Sequence, residues 1–140
     1  MNPPEASLKK AFARLMGSPA GEVLTGVDNF LTAQSIESWL VGGLVRDVLL
    51  GRKTADIDLA VSADALDIAA KAALALGGRY VLLDRENGIG RVVLADKTCL
   101  DFSTFEEDIE KDLARRDFTI NAMAVNLHRI IEGTADIELI

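Results

Sequence analysis

The sequence predicts an α/β (α+β) domain in which helices pack on a sheet, and three stretches carry that prediction. Between Trp39 and Ala60 an apolar run, a pair of glycines, a two-turn helical pattern and a second strand follow one another. From Ser62 to Gly78 the apolar and alanine positions recur at three and four residues, the spacing of a helix lying on a sheet. From Tyr80 to Thr104 three short runs are separated by turn-forming residues, and the last alternates Leu100 and Phe102 with Asp101 and Ser103. Strand, helix and strands in that order give a sheet with helices packed on it.

At the N-terminus, Asn2 to Glu5 carries two prolines and reads as a frayed end. Leu8, Ala11, Phe12 and Leu15 then mark one face of a helix that stops at Gly17, Ser18 and Pro19. A second helix is expected from about Gly21 to Ala33, with Val23, Leu24, Val27, Phe30 and Leu31 apolar. Residues 1–37 are therefore a helical extension with no assigned chemistry, and residues 38–140 are the domain proper.

The organising stretch begins with Trp39, Leu40 and Val41, a buried strand, after which Gly42 and Gly43 permit a sharp turn that a side chain would forbid. Leu44, Val48 and Leu49 recur at helical spacing and Gly51 suits a left-handed cap, so residues 43–50 read as a helix. Its first-turn N–H groups and positive dipole end face the glycines and favour an anion, with Arg46 able to add a forked cation. A triphosphate suits that cradle. In the next strand Ile57 and Leu59 point to one face, Asp56 and Asp58 to the other. Their Cα atoms lie roughly 6.5 to 7 Å apart, and two carboxylates that close call for a cation between them; Mg²⁺ takes such oxygen ligands together with phosphates and water. A D-x-D pattern alone is more often a solvent-facing strand edge, and it is the glycine turn and helix upstream that favour a site.

Ser62 is the expected N-cap of the helix bearing Leu66, Ala69, Ala70, Ala73 and Leu76, which Gly77 and Gly78 end. Strands are expected at Tyr80–Leu83, Arg91–Ala95 and Thr98–Thr104. If the last lies beside the strand of Asp56 and Asp58, Asp101 becomes a third carboxylate, as two-metal phosphoryl or nucleotidyl transfer requires. Glu106 to Lys111 is a solvated charged run. Asp112 to Asn126 then sets Arg115, Arg116 and Asp117 against an apolar segment containing Asn121. The arginines suit phosphate oxygens and the aspartate ribose hydroxyls, against the simpler reading of a surface salt-bridge cluster. Residues 125–132 are expected to close the chain as a hairpin around Leu127 and His128. Cys99 and His128 are read as structural or surface residues, and they are too few for a zinc site.

Composition narrows the function. The 140 residues suffice for one core, at 49% hydrophobic and 26% charged. No apolar run approaches the ~18 residues of a membrane span, and the first ten residues lack signal-peptide order, so a cytoplasmic, non-membrane protein is expected. The single cysteine excludes an internal disulfide. A net charge of −7 and a pI near 4.7 disfavour a chain whose main task is gripping a phosphate backbone.

VGGLVRDVLLGRKTADIDLA followed by DLARRDFTINAMAV resembles the head domain of class II tRNA nucleotidyltransferases (CCA-adding enzymes) and bacterial poly(A) polymerases, within the polymerase-beta-like nucleotidyltransferase superfamily. The resemblance covers about Ser38 to Ile131. It implies a palm-like mixed sheet with helices on one side, and Mg²⁺-dependent transfer of a nucleoside monophosphate from ATP or CTP to an RNA 3′-hydroxyl, as CCA addition to the 3′ end of tRNA or as poly(A) addition. By motif, Asp56, Asp58 and Asp101 would be the catalytic, metal-holding carboxylates. Gly42, Gly43 and Arg46 would receive the triphosphate, and Arg116, Asp117 and Asn121 the nucleotide. Relatives often carry an arginine and a longer loop where this chain has Phe105, Glu106 and Glu107. They also continue into neck, body and tail regions that hold most of the RNA and select the base, so a catalytic-head fragment, poorly active alone, is expected. Two other functions use the same pocket logic: nucleotidyl transfer to a small molecule or protein, which would not call for RRDFTINA, and a nucleotide-binding module without turnover, whose NTP binding would survive loss of Asp58.

Overall fold

The structure is a computed structural model that describes residues 5–41, Asp47, 56–105 and 124–132. Among the described residues the elements follow in the order α1 (Glu5–Met16), α2 (Pro19–Ala33), β1 (Ser38–Val41), β2 (Asp56–Val61), α3 (Ala65–Leu76), β3 (Arg79–Asp84), β4 (Ile89–Val93), β5 (Cys99–Thr104), β6 (Ala124–Asn126) and α4 (Leu127–Glu132). One mixed sheet takes the strand order β3-β4-β5-β2-β1-β6. Within it β2 and β5 are parallel and every other neighbouring pair is antiparallel.

Alternation of side chains divides the sheet. Leu40, Ile57, Leu59, Val92, Leu100, Phe102 and Val125 turn to one face and join a core with Phe12 of α1, Leu24, Val27 and Leu31 of α2, the alanines of α3, and Leu127 and Ile130 of α4. Helices α3 and α4 lie against that face, α2 packs on both of them and α1 on α2, so that all four share one core with the sheet. The opposite face carries a smaller cluster of Trp39, Val41, Ala60 and Phe105.

Local chemistry moves several expected boundaries. Helix α2 starts at Pro19, two residues before the expected Gly21, because proline at the first helical position has a helical φ and lacks an N–H that would have no partner there anyway. Asp64, rather than Ser62, caps α3: its Oδ1 accepts from the amides of Leu66 (3.1 Å) and Asp67 (3.5 Å). The Ser62 hydroxyl instead accepts from the Glu37 amide at 2.9 Å, closing the other end of the β1–β2 pair. The buried stripe of α3 is Ala65, Ile68, Ala69, Ala72 and Ala73, rotated from the expected one, and Gly77 ends the helix at φ 69°. Strand β4 covers Ile89–Val93 rather than 91–95, since Leu94 already belongs to a turn, its amide bonded to the Thr98 carbonyl (2.9 Å) while Asp96 Oδ1 accepts from the Thr98 amide (3.0 Å).

The chain end departs most. Residues 127–132 form helix α4 and no hairpin. The Asn126 side chain accepts from the Arg129 amide at 3.1 Å in N-cap fashion, and Leu127 and Ile130, three apart, are both buried.

Candidate active site

Strand β2 sets the site. Ile57 and Leu59 are wholly buried on the helix face, which fixes the register and turns Asp56 and Asp58 onto the open face; Asp56 is exposed and Asp58 half-buried. The strand condition on Asp101 is met, because β5 runs parallel beside β2 with Asp58 opposite Asp101 and Asp56 opposite Cys99. Neighbouring strands lie about 4.8 Å apart, so Asp56, Asp58 and Asp101 occupy one small block of the open face. On its other side β1 places Val41 opposite Asp58, which brings the residue next to Gly42 in the chain level with the carboxylates.

One partner of this block was not foreseen. Across the β4–β5 hairpin Arg91 stands opposite Asp101, and its guanidinium grips both carboxylate oxygens, Nε to Oδ1 at 2.7 Å and Nη2 to Oδ2 at 2.9 Å. The Asp101 side chain is 13% exposed and that of Arg91 31%. Hydrogen bonding to Asp101 raises the Arg91 pKa further above its already high range, with burial opposing and the charges of Asp101, Cys99 and Asp56 adding to it. The signal was present in the sequence: a hairpin turning about Asp96 and Lys97 brings position 91 across from 101.

Carboxylate oxygens are the ligands a hard divalent ion takes, so the chemistry of Asp56 and Asp58 fits a metal. Asp101 fits by position, but both its oxygens are engaged by Arg91. Among the described residues no three His, Cys, Asp or Glu side chains are gathered as a metal-holding group. Gly42, Gly43, Arg46, Arg116, Asp117 and Asn121, the expected helix over 43–50 apart from the helical Asp47, and the charged run 106–111 lie outside the described residues.

Elsewhere, Cys99 is half-buried on β5 with Sγ 3.7 Å from the Lys97 carbonyl. His128, read as a structural or surface residue, is half-exposed and bridges two helices: Nδ1 is 3.0 Å from the buried Asp28 of α2 and Nε2 2.7 Å from Glu132. A cavity of about 430 Å³ beside it, lined by Thr32, Ser35, Ser38, Asn126, His128 and Glu132 among others, contains none of the expected site residues. No described helix is long and apolar enough to cross a membrane.

Comparison with known proteins bears on this geometry. The family described as the poly(A) polymerase head domain matches residues 38–107 and 92–139. The chain is 45% identical over 91 residues to a CC-adding tRNA nucleotidyltransferase of Geobacter sulfurreducens, covering 64% of this chain and 21% of that protein. It is 46% identical over 86 residues to an A-adding tRNA nucleotidyltransferase of Deinococcus radiodurans, covering 61% and 19%. Among solved structures, the CCA-adding enzyme of Thermotoga maritima in complex with tRNA superposes with a TM-score of 0.74 at 36% identity, over 86% of this chain and 29% of that one. The chain thus spans about a fifth to a third of the length of the curated relatives it matches. Nucleotidyltransferases of this family generally use divalent metals.

Proposed function

From the premise that the chain belongs to the poly(A) polymerase head-domain family, we propose that it is the catalytic head of an RNA nucleotidyltransferase, with residues 38–140 as the head and 1–37 as its helical extension. The reaction is attack of an RNA 3′-hydroxyl on the α-phosphorus of ATP or CTP, with cleavage of the bond to the β-phosphate oxygen and release of pyrophosphate. The acceptor is the 3′ end of tRNA. The carrying observation is the register of β2 on β5, which sets Asp58 beside Asp101 on the face opposite the apolar core, with Asp56 two residues away.

Asp56 and Asp58 hold Mg²⁺, and Asp101 is the third carboxylate, helping to activate the hydroxyl. Bound metal supplies charge stabilisation to the phosphoryl oxygens. Gly42, Gly43 and Arg46 hold the triphosphate, while Arg116, Asp117 and Asn121 orient the nucleotide. No covalent intermediate is needed; the side chains supply placement and charge neutralisation. The relatives' activities support this reading, being CC and A addition to tRNA.

The test is incorporation of labelled ATP and CTP into tRNA lacking its 3′ end, into generic RNA, and with no acceptor. Incorporation that needs the trimmed tRNA and disappears in Asp56→Ala and Asp58→Ala is expected. Labelling without an RNA acceptor, or indifferent to both substitutions, would show the assignment to be wrong.

A further inference from the structure

The Arg91 fork is the feature of the open face that the proposed chemistry leaves unused. Arg91, Asp101 and Asp58 stand in one row across three neighbouring strands, β4, β5 and β2. Both Asp101 oxygens accept from the same guanidinium at hydrogen-bond distance, with the carboxylate largely buried. A bidentate arginine is planar, permanently charged and directional, so it fixes the carboxylate plane while cancelling its charge. A carboxylate in that state is oriented and already neutralised, and a divalent ion arriving beside Asp58 meets a resident cation on the third ligand.

We propose that Arg91 is a positioning residue that holds Asp101 in place and competes with the metal for its oxygens, so that the third carboxylate is given up to the ion only against the guanidinium. This rests on the metal reading of Asp56 and Asp58 given above. Arg91 acts through Asp101, to which both of its hydrogen bonds go. The arrangement weakens metal binding and improves geometry, which predicts opposite changes in two quantities when the fork is removed.

The measurement is Mn²⁺ binding to the full chain by electron paramagnetic resonance without nucleotide, in wild type, Arg91→Gln, Arg91→Lys, Asp101→Asn and the Arg91→Gln/Asp101→Asn pair, with Asp58→Asn as control. Arg91→Gln should bind Mn²⁺ about tenfold more tightly, as loss of a charge within about 4–6 Å shifts such an equilibrium by a factor of that order, while its nucleotide incorporation rate falls. Arg91→Lys, which keeps the charge without the fork, should stay near wild type in affinity but lose rate, and it also covers the case in which Arg91→Gln does not fold. Asp101→Asn should cost more affinity in the Arg91→Gln background than in wild type, a non-additivity that a merely structural pair would not produce. Unchanged or weaker Mn²⁺ binding in Arg91→Gln, or additive effects in the pair, overturns the proposal while leaving the metal reading intact. Wild-type binding that is absent, or that survives in Asp58→Asn, overturns the metal reading and this inference together.

Discussion

Leu59 and Asp58 are neighbours in β2 and belong to different chemistries. Leu59 is wholly buried in the core cluster that the helices share, whereas Asp58 faces the opposite side of the sheet in a row with Val41, Asp101 and Arg91. The covered face is held by non-directional apolar contact, which four helices share and which tolerates repacking. The open face depends on charged groups at fixed register positions, where a shift of one residue would exchange every aspartate for an aliphatic side chain. The burial on one face is what gives the other its accuracy.

Swapping the two roles gives the largest effect. Asp58→Ala should lower nucleotide incorporation by at least about 100-fold, the scale of removing one charge-stabilising group, with little change in Tm. Leu59→Ala should do the reverse, costing about 2–5 kcal/mol in urea unfolding while the folded fraction keeps its turnover. A collapse of Tm in the first, or a turnover defect without destabilisation in the second, would break the division between faces.

A smaller effect tests how tightly α3 sits on the sheet. A Cβ at Gly90 would stand 2.7 Å from the Ala69 Cβ and 3.2 Å from the Tyr80 ring, so Gly90→Ala must push the helix or the ring away. Destabilisation of about 1–3 kcal/mol is expected, by the same unfolding measurement. Gly77→Ala meets no neighbour but keeps a φ of +69°, so its cost comes from the backbone alone, about 1 kcal/mol.

The weakest contrast is within the helix layer. The hydrogen bond to Asp28 raises the His128 pKa above its usual 6.5, against desolvation, and the charges of Asp28 and Glu132 add to the rise. A folded value above the unfolded one means that the clamp contributes fully below pH 6.5 and that the contribution is lost as pH rises through the folded value. His128→Gln should therefore destabilise by up to about 1 kcal/mol in mildly acid solution, screened because the side chain is half-exposed, and hardly at all in alkaline solution. A pH-independent difference would show that the ring contributes by packing and not by charge.

Much of the covered face was legible in the residues. The pattern of Val23, Leu24, Val27 and Leu31 placed α2, and the alternation of Leu100 and Phe102 with Asp101 and Ser103 placed β5 with its faces assigned. The alanine helix was legible as an element but not in its orientation, because alanines at 69, 70, 72, 73 and 75 nearly surround it and leave the sheet to choose the face. Cap and turn assignments failed where two polar residues competed, as Ser62 and Asp64 did, and the choice lay with the long-range Glu37 contact. The closing helix was missed because Asn126 reads equally as a turn residue and as a cap.

By itself the sequence determined which side chains share a face: Asp56 with Asp58, Leu100 with Phe102, the two sides of β2. That follows from backbone geometry, whose period of two is local and independent of what lies alongside. Only the tertiary structure decided who faces whom. It set Asp58 beside Asp101 and joined Asp28 to His128 across 100 positions. Such pairings come from the summed packing of the whole core, to which the residues that meet contribute little and in which their separation along the chain leaves no periodic trace.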